Sequence, residues 1–251
     1  MTFTTKHIHQ LGRKTIETSH YTYYTLDEIP DRYDNNLLEL HHMPTSEQWQ
    51  QYEAFLIEEG KKHQQTHAQF IFPANAAIPL QLRETLTTNG YELKTLGLYE
   101  TTAARFQATR EPQPIDIFIA QGEWLERYLI EQFYEDYQWG EGYAQRKMTY
   151  FRKLLTDDVM QAVIAIKDGD IAGGALVFQE PTYVELDSLY VLEDYQMQGI
   201  ATAIQQFVMT LAGERTVLLI ADEDDTPKAM YERQGYTKIA FHQAALKTDI
   251  K

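Results

Sequence analysis

The chain has 251 residues, 43% apolar and 24% charged, the mixture of a globular protein rather than a disordered one. Its net charge of −15 argues against nucleic acid or an anionic membrane as a partner, and the lack of cysteine removes disulfides, thiolate metal sites and a cysteine nucleophile. The opening MTFTTKHIHQLGRK has no apolar run behind its basic residues, and no stretch approaches the roughly 18 apolar residues of a membrane span, so a soluble, cytoplasmic protein without a signal peptide is expected.

In chain order, Lys14–Asp27 reads as a strand, rich in β-branched and aromatic residues (Thr15, Ile16, Tyr21, Tyr23, Tyr24). Asn36–Met43 is a second short strand. Ser46 is placed to cap a helix that carries Trp49, Tyr52 and Leu56 on one face. Phe70–Phe72 is a short buried strand stopped by Pro73, Ile78–Thr88 a helix ended by Asn89-Gly90, and Tyr91–Thr101 a strand. The polar stretch Thr101–Pro114, with two prolines and no sustained period, marks a boundary between units at residues 1–105 and 114–251. Charge divides near the same point. Residues 1–110 hold 10 Lys+Arg and 13 Asp+Glu, whereas residues 111–251 hold 12 and 24. The acid in the second unit either keeps it soluble or draws a cationic substrate.

The second unit opens with a strand at Ile115–Ala120 and two helices, Gly122–Tyr137 and Tyr143–Leu155. Val159–Lys167 and Ile171–Gln179 read as a hairpin turned at Asp168-Gly169. The strand Tyr183–Val191 precedes a strongly periodic helix, Gly199–Leu211, whose apolar face holds Ile200, Ala203, Ile204, Phe207, Val208 and Leu211. A buried strand (Thr216–Ala221), a short helix (Pro227–Gln234) ended by Gly235, and a strand (Tyr236–Lys247) close the order. The fold class expected is α/β (α+β). The strand–helix–Asn-Gly-Tyr–strand end of the first unit parallels the strand–helix–Gln-Gly-Tyr–strand end of the second, which points to an internal duplication.

The chemistry concentrates in Tyr183–Gly213, a strand, a loop containing Gly199, and a helix. A helix start offers unpaired N–H groups and the positive end of the macrodipole, and glycine lets an anion approach the backbone, so the segment can seat a pyrophosphate. Tyr195–Gly213 holds no charged residue, which suits an anion equally. The alternative is a plain buried helix behind a glycine turn.

Gln196-Met197-Gln198-Gly199-Ile200-Ala201, following a strand and opening a helix, resembles the [Gln/Arg]-x-x-Gly-x-[Gly/Ala] signature of the GNAT superfamily of N-acetyltransferases. Leu189-Tyr190-Val191 matches the superfamily's splayed fourth strand. Ala229-Met230-Tyr231-Glu232-Arg233-Gln234-Gly235-Tyr236 is similar to its second block, a Leu-Tyr-Glu-x-x-Gly-Phe run. The resemblance covers about residues 114–248. It implies a mixed central sheet flanked by helices and transfer of an acetyl group from acetyl-CoA, as cosubstrate, to an amine. It places Leu189, Tyr190 and Val191 along the pantetheine arm. The backbone N–H groups of Gln198, Gly199, Ile200, Ala201 and Thr202 fall at the pyrophosphate, and Gln196, Met197 and Asp224 are also counted among the cofactor-binding residues. Asp224 stands where many members carry Asn. The loop has Gln196 in place of Arg and no Lys or Arg, which leaves phosphate binding to backbone and dipole. The first unit resembles the later half of the same fold but lacks the signature and has Leu86 where the second has Tyr231. It is therefore expected to be a degenerate GNAT-like copy.

By the same resemblance, Tyr231 is placed to protonate the leaving thiolate; otherwise it is a core tyrosine. Glu185 and Asp187 alternate on one strand, share a face and are candidate bases for the amine, or a solvated pair on an exposed face. Tyr134, Glu135, Tyr137 and Trp139, beside Asp136 and Glu141, lie in the region that lines the superfamily's acceptor site. Acids beside aromatics suit an ammonium group, though a plain acidic loop reads the same way. His63 and His67 have the i, i+4 spacing of a zinc pair but no third ligand at recognisable spacing, so no metal is expected. The reading is an N-acetyltransferase acting on a small-molecule or peptide amine of cationic character, monomeric or homodimeric, by direct attack on the thioester. The alternative is a non-catalytic acyl-CoA-binding or interaction module.

Overall fold

The structure is a computed structural model and describes residues 2–109, 114–224 and 227–250. Its elements follow in the order β1 (Arg13–Glu17), β2 (Tyr21–Thr25), β3 (Leu37–Leu40), α1 (Ser46–Lys62), β4 (Ala68–Ile71), α2 (Leu80–Thr88), β5 (Glu92–Thr102), β6 (Asp116–Ile119), α3 (Glu123–Asp136), α4 (Glu141–Thr156), β7 (Gln161–Lys167), β8 (Asp170–Gln179), β9 (Tyr183–Val191), α5 (Ile200–Ala212), β10 (Thr216–Asp222), α6 (Pro227–Arg233) and β11 (Thr237–Lys247). The class is the expected mixed α/β, with sheets flanked by helices. None of the described helices is long and apolar enough to cross a membrane.

Packing divides the chain into two units. The first comprises Met1–Leu98, Ala221–Asp225 and Ile239–Lys251, the second Tyr99–Ile220 and Thr226–Lys238. The division is more interleaved than the single boundary between residues 105 and 114 expected from the sequence. Residues 110–113 of that stretch lie outside the described residues. The last strand, assigned to the second unit by chain order, closes the first unit's sheet instead. Its Ala244, Ala245 and Leu246 pair antiparallel with Ile71, Phe70 and Gln69 of β4. Strand pairing is a long-range choice that alternation along a single strand does not encode.

In the first unit the strands run β1-β2-β3-β4-β11. The expected strand over Lys14–Asp27 is a hairpin. Thr18 N–H donates to Tyr21 O at 2.9 Å, and the Thr18 hydroxyl accepts from the N–H groups of His20 and Tyr21. Helix α1 is capped by Thr45 rather than Ser46. The Thr45 hydroxyl accepts from Gln48 N–H, and the Gln48 side chain returns the bond to Thr45 N–H, a reciprocal capping box. Trp49 and Leu56 turn inward as expected and are fully buried with Tyr23, Leu38, Phe70 and Leu86. Burial of each such side chain contributes about 1.5–3 kcal/mol. Because α1 stops at Lys62, His63 and His67 do not share a helix face. His63 Nδ1 bonds Asp27 Oδ1 at 2.7 Å, while buried His67 bonds the Asn36 carbonyl at 2.9 Å.

In the second unit the strands run β10-β9-β8-β7-β6. The β7–β8 hairpin turns at Asp168 and Gly169, with φ of +54° and +89°. Helix α5 buries Ile200, Ala203, Ile204 and Val208, and also Thr202, Gln205, Met209 and Ala212, a wider face than the expected stripe. Between β9 and β10 the parallel ladder spans only Tyr183–Glu185 against Thr216–Leu218, although β9 runs on to Val191.

Candidate cofactor and active site

The loop between β9 and α5 ends on Gly199, which caps the helix at φ +83°, a conformation that glycine adopts without the steric cost borne by other residues. A glycine cap has no side chain to satisfy the first turn, and α5 has no side-chain cap bond. The first helical bond runs from Ala203 N–H to Gly199 O, so the N–H groups of Ile200, Ala201 and Thr202 point out of the helix start without intrahelical partners. Met197, with φ of +62° and 78% exposure, sits at the rim. Gln198 faces elsewhere: Lys167 Nζ donates to its Oε1, and its Nε2 donates to Asp194 O.

Beside this loop β9 is irregular. Asp187 pairs with Leu176, but Tyr190 pairs with Gly174, so one residue is extra, and Ser188 takes φ of +51°. Leu192 N–H donates to Ala172 O at 3.0 Å. By alternation the peptide groups of Leu189 and Val191 then face away from β8, toward the side where β9 and β10 have parted. The Gln196 side chain already donates to Val191 O, at 3.3 Å. The Tyr190 hydroxyl donates to Glu131 Oε1 on α3 at 2.6 Å. Burial pushes both the Glu131 carboxyl and the Tyr190 phenol above their ordinary pKa values.

These elements enclose a cleft of about 450 Å³. Leu189, Tyr190 and Val191 form one wall. Gln196, Met197, Gly199, Ile200, Ala201 and Thr202 form the loop side, and Tyr231 lines the cleft from α6. Tyr231 is 8% exposed and meets Tyr236 edge-on at 5.4 Å. Buried polar bonds tie α6 to α5: Gln234 Nε2 donates to Thr202 Oγ1 at 3.1 Å, and Gln205 Nε2 donates to Gln234 Oε1 at 2.9 Å. Gly235 follows at φ +87°, and a Cβ there would stand 2.3 Å from Arg105 O.

The cleft thus gathers nine of the expected cofactor positions, together with Tyr231. Gln198 does not line it, its side chain being held by Lys167. Asp224 does not line it either; it sits in the turn after β10, with its N–H on Asp222 Oδ1. Glu185 and Asp187 are also outside the lining. Glu185 is buried, 4% exposed, rather than on an open face, and Asp187 Oδ1 accepts from Ser188 N–H at 2.7 Å. Tyr134, Glu135, Tyr137 and Trp139 are exposed where α3 passes into α4. Asp136 is not part of an acidic mouth there, because it is buried in an ion pair with Lys147 at 2.7 Å. Sequence reasoning missed Arg233, which brings a cation to the cleft from α6, and Glu131. Nothing local signals Glu131, whose partner Tyr190 lies fifty-nine residues away in the chain. Among the described residues no group of three or more His, Asp or Glu side chains is placed to hold a metal ion.

Residues 3–99 match the model of a domain of unknown function (DUF5613), and residues 122–236 match that of the acetyltransferase (GNAT) family. No curated protein matches the chain. A functionally unknown conserved protein from Staphylococcus epidermidis is similar in structure, with a TM-score of 0.90, 29% identity, and 99% of this chain and 98% of that one covered. A GCN5-related N-acetyltransferase from Kribbella flavida shares the fold at TM-score 0.62 and 12% identity, over 94% of this chain and 90% of that one. A tandem GNAT protein from the clavulanic acid biosynthesis pathway does so at 0.53 and 13%, over 92% and 79%. The glycine-capped helix and the parted strands both fall within residues 122–236, the stretch that matches the acetyltransferase (GNAT) family model.

Proposed function

We propose that the second unit binds acetyl-CoA in the 450 Å³ cleft and transfers its acetyl group to an amine. The observation that carries this reading is the Gly199-capped helix start, whose open N–H groups line the same cleft as Tyr231. The donors fit an anion: three outward N–H groups, the helix dipole, and Arg233 at the wall. The outward peptide groups of Leu189 and Val191 fit an amide-bearing arm, for which the Gln196 side chain yields its bond to Val191 O. Bound acetyl-CoA supplies an acyl carbon activated by a thiolate leaving group.

The protein's part is to hold that carbon near Tyr231 and to manage two protons. The incoming amine must lose one to attack, and Glu185 or Asp187, both outside the cleft lining, accepts it through water. The Tyr231 hydroxyl gives a proton to the sulfur as the carbon–sulfur bond breaks. The nitrogen sheds its second proton as the amide forms, and that proton restores the Tyr231 hydroxyl directly or through water, so the new carbon–nitrogen bond and the free thiol complete the balance with no covalent enzyme species. Tyr134, Glu135, Tyr137 and Trp139 form the acceptor's approach, where a carboxylate beside exposed aromatic faces suits a cationic amine, small or at a peptide end. The first unit, with neither a glycine-capped phosphate loop nor a tyrosine at Leu86, binds no coenzyme A.

A thiol-release assay with acetyl-CoA across polyamines, aminoglycosides, amino acids and peptides tests the reading. Release with a cationic amine, weakening as salt rises, is expected. Coenzyme A binding without thiol release for any amine would replace it with a binding module.

A further inference from the structure

The diphosphate of coenzyme A needs positive charge, yet the loop from Leu192 to Gly199 carries Glu193 and Asp194 and no Lys or Arg. The structure brings a cation to that loop from elsewhere in the unit. Lys167 ends β7, thirty-one residues before Gln198, and its ammonium donates to Gln198 Oε1. The same amide donates from Nε2 to Asp194 O at 3.2 Å, so Gln198 is held at both ends. Lys167 itself leaves a fixed base. It pairs with Asp170 across the hairpin, and Arg127 on α3 grips the turn through Gly169 O and Asp170 Oδ1, both at 3.0 Å.

We propose that Lys167 is a positioning residue for the diphosphate: it fixes Gln198 beside the αL glycine and adds a positive charge behind the loop whose other side meets the phosphates. This rests on the coenzyme A reading above. Two consequences follow from the contacts. First, the Gln198 side-chain amide is held through both its oxygen and its nitrogen, so the loop is set before the ligand arrives and less order is lost on binding. Second, the charge sits behind the loop, on the side of Gln198 turned from the cleft, and adds to the positive field of the helix start. Both effects act on the phosphates and neither acts on the pantetheine arm, which lies along β9.

The test is calorimetry of the full chain and its Lys167→Met and Lys167→Arg variants with two probes, coenzyme A and pantetheine, which lacks the phosphates. Met keeps the aliphatic stem and removes the charge. Lys167→Met is expected to weaken coenzyme A binding about tenfold, the scale of one charge contact at a partly solvated site, and to leave pantetheine affinity unchanged. The salt dependence of coenzyme A binding should become shallower, and Lys167→Arg should restore affinity. In turnover the variant should raise KM for acetyl-CoA while kcat holds. Equal loss for both probes, or no loss for coenzyme A, overturns the role while leaving the cofactor reading intact. Failure of the native chain to bind coenzyme A overturns that reading and the role of Lys167 with it. If Lys167→Met does not fold, Gln198→Leu, which removes the acceptor from the same contact, must show the same probe selectivity or the proposal fails.

Discussion

Replacing Tyr231 by Phe separates a chemical from a packing role, because the structure sets different sizes for the two. The ring is 8% exposed and packs edge-on against Tyr236 at 5.4 Å, and Phe keeps that contact. Only the hydroxyl is lost. If it serves packing, its removal costs about 0.5–1.5 kcal/mol of stability, a shift in Tm of about 2–4 °C per kcal/mol in a protein of this size. If it protonates the departing thiolate, turnover falls by about 10²–10⁴. That loss corresponds to about 2.7–5.5 kcal/mol in the barrier, well above the packing term. The assay is steady-state thiol release, paired with calorimetric titration of coenzyme A and thermal unfolding. The expected result is a large drop in kcat with coenzyme A affinity preserved and Tm shifted by no more than a few degrees. A variant with native kcat and a lowered Tm would refute the chemical role and leave Tyr231 as the tyrosine that packs on Tyr236.

Gly199→Glu puts a side chain at φ +83° and a negative charge at the helix start. Titration should show coenzyme A binding abolished while circular dichroism stays native, and retained affinity would remove the loop from the site. Gly235→Ala should cost at least about 2 kcal/mol, from the positive φ and a Cβ 2.3 Å from Arg105 O, and denaturant unfolding at unchanged stability would show that the 105 segment yields. His242 has a buried Nδ1 without a hydrogen-bond partner among the described residues, and burial pushes its pKa down to about 4; burial also lowers that of His67. The unfolded imidazoles bind protons that the folded ones refuse, so for His242 stability should be fully present above about pH 6.5 and fall as pH drops toward 4, by about 1.4 kcal/mol per pH unit, with His67 acting in the same direction. A His242→Gln variant should flatten that slope, and an unchanged slope would assign the effect elsewhere. Coenzyme A should titrate to one site per chain, and a stoichiometry of two would show that the first unit binds it as well.

Contiguous features of this protein were legible in the residues themselves. Alternation over Tyr183–Val191 and the 3.6-residue period after Gly199 each arise within one element, and so does the αL demand at the turn between them. The strand–glycine–helix seat could therefore be read without knowing what surrounds it. The same holds for the Asp168-Gly169 hairpin and for α6 with Gly235. Where competing local signals were close, the reading slipped by a residue or merged two elements. Thr45 took the cap from Ser46 because Gln48 could return its bond, and Thr18 folded one apparent strand into two. Other features exist only once the chain has folded. The last strand joins β4 of the first unit, Lys167 reaches Gln198 across thirty-one residues, and Tyr190 meets Glu131 across fifty-nine. Asp136 finds Lys147 and is buried with it, and Glu185 disappears into the sheet. Hydrogen-bond and charge partners are selected by which elements pack together. That selection depends on burying apolar faces over the whole unit, so the periodicity of any one segment carries no record of it.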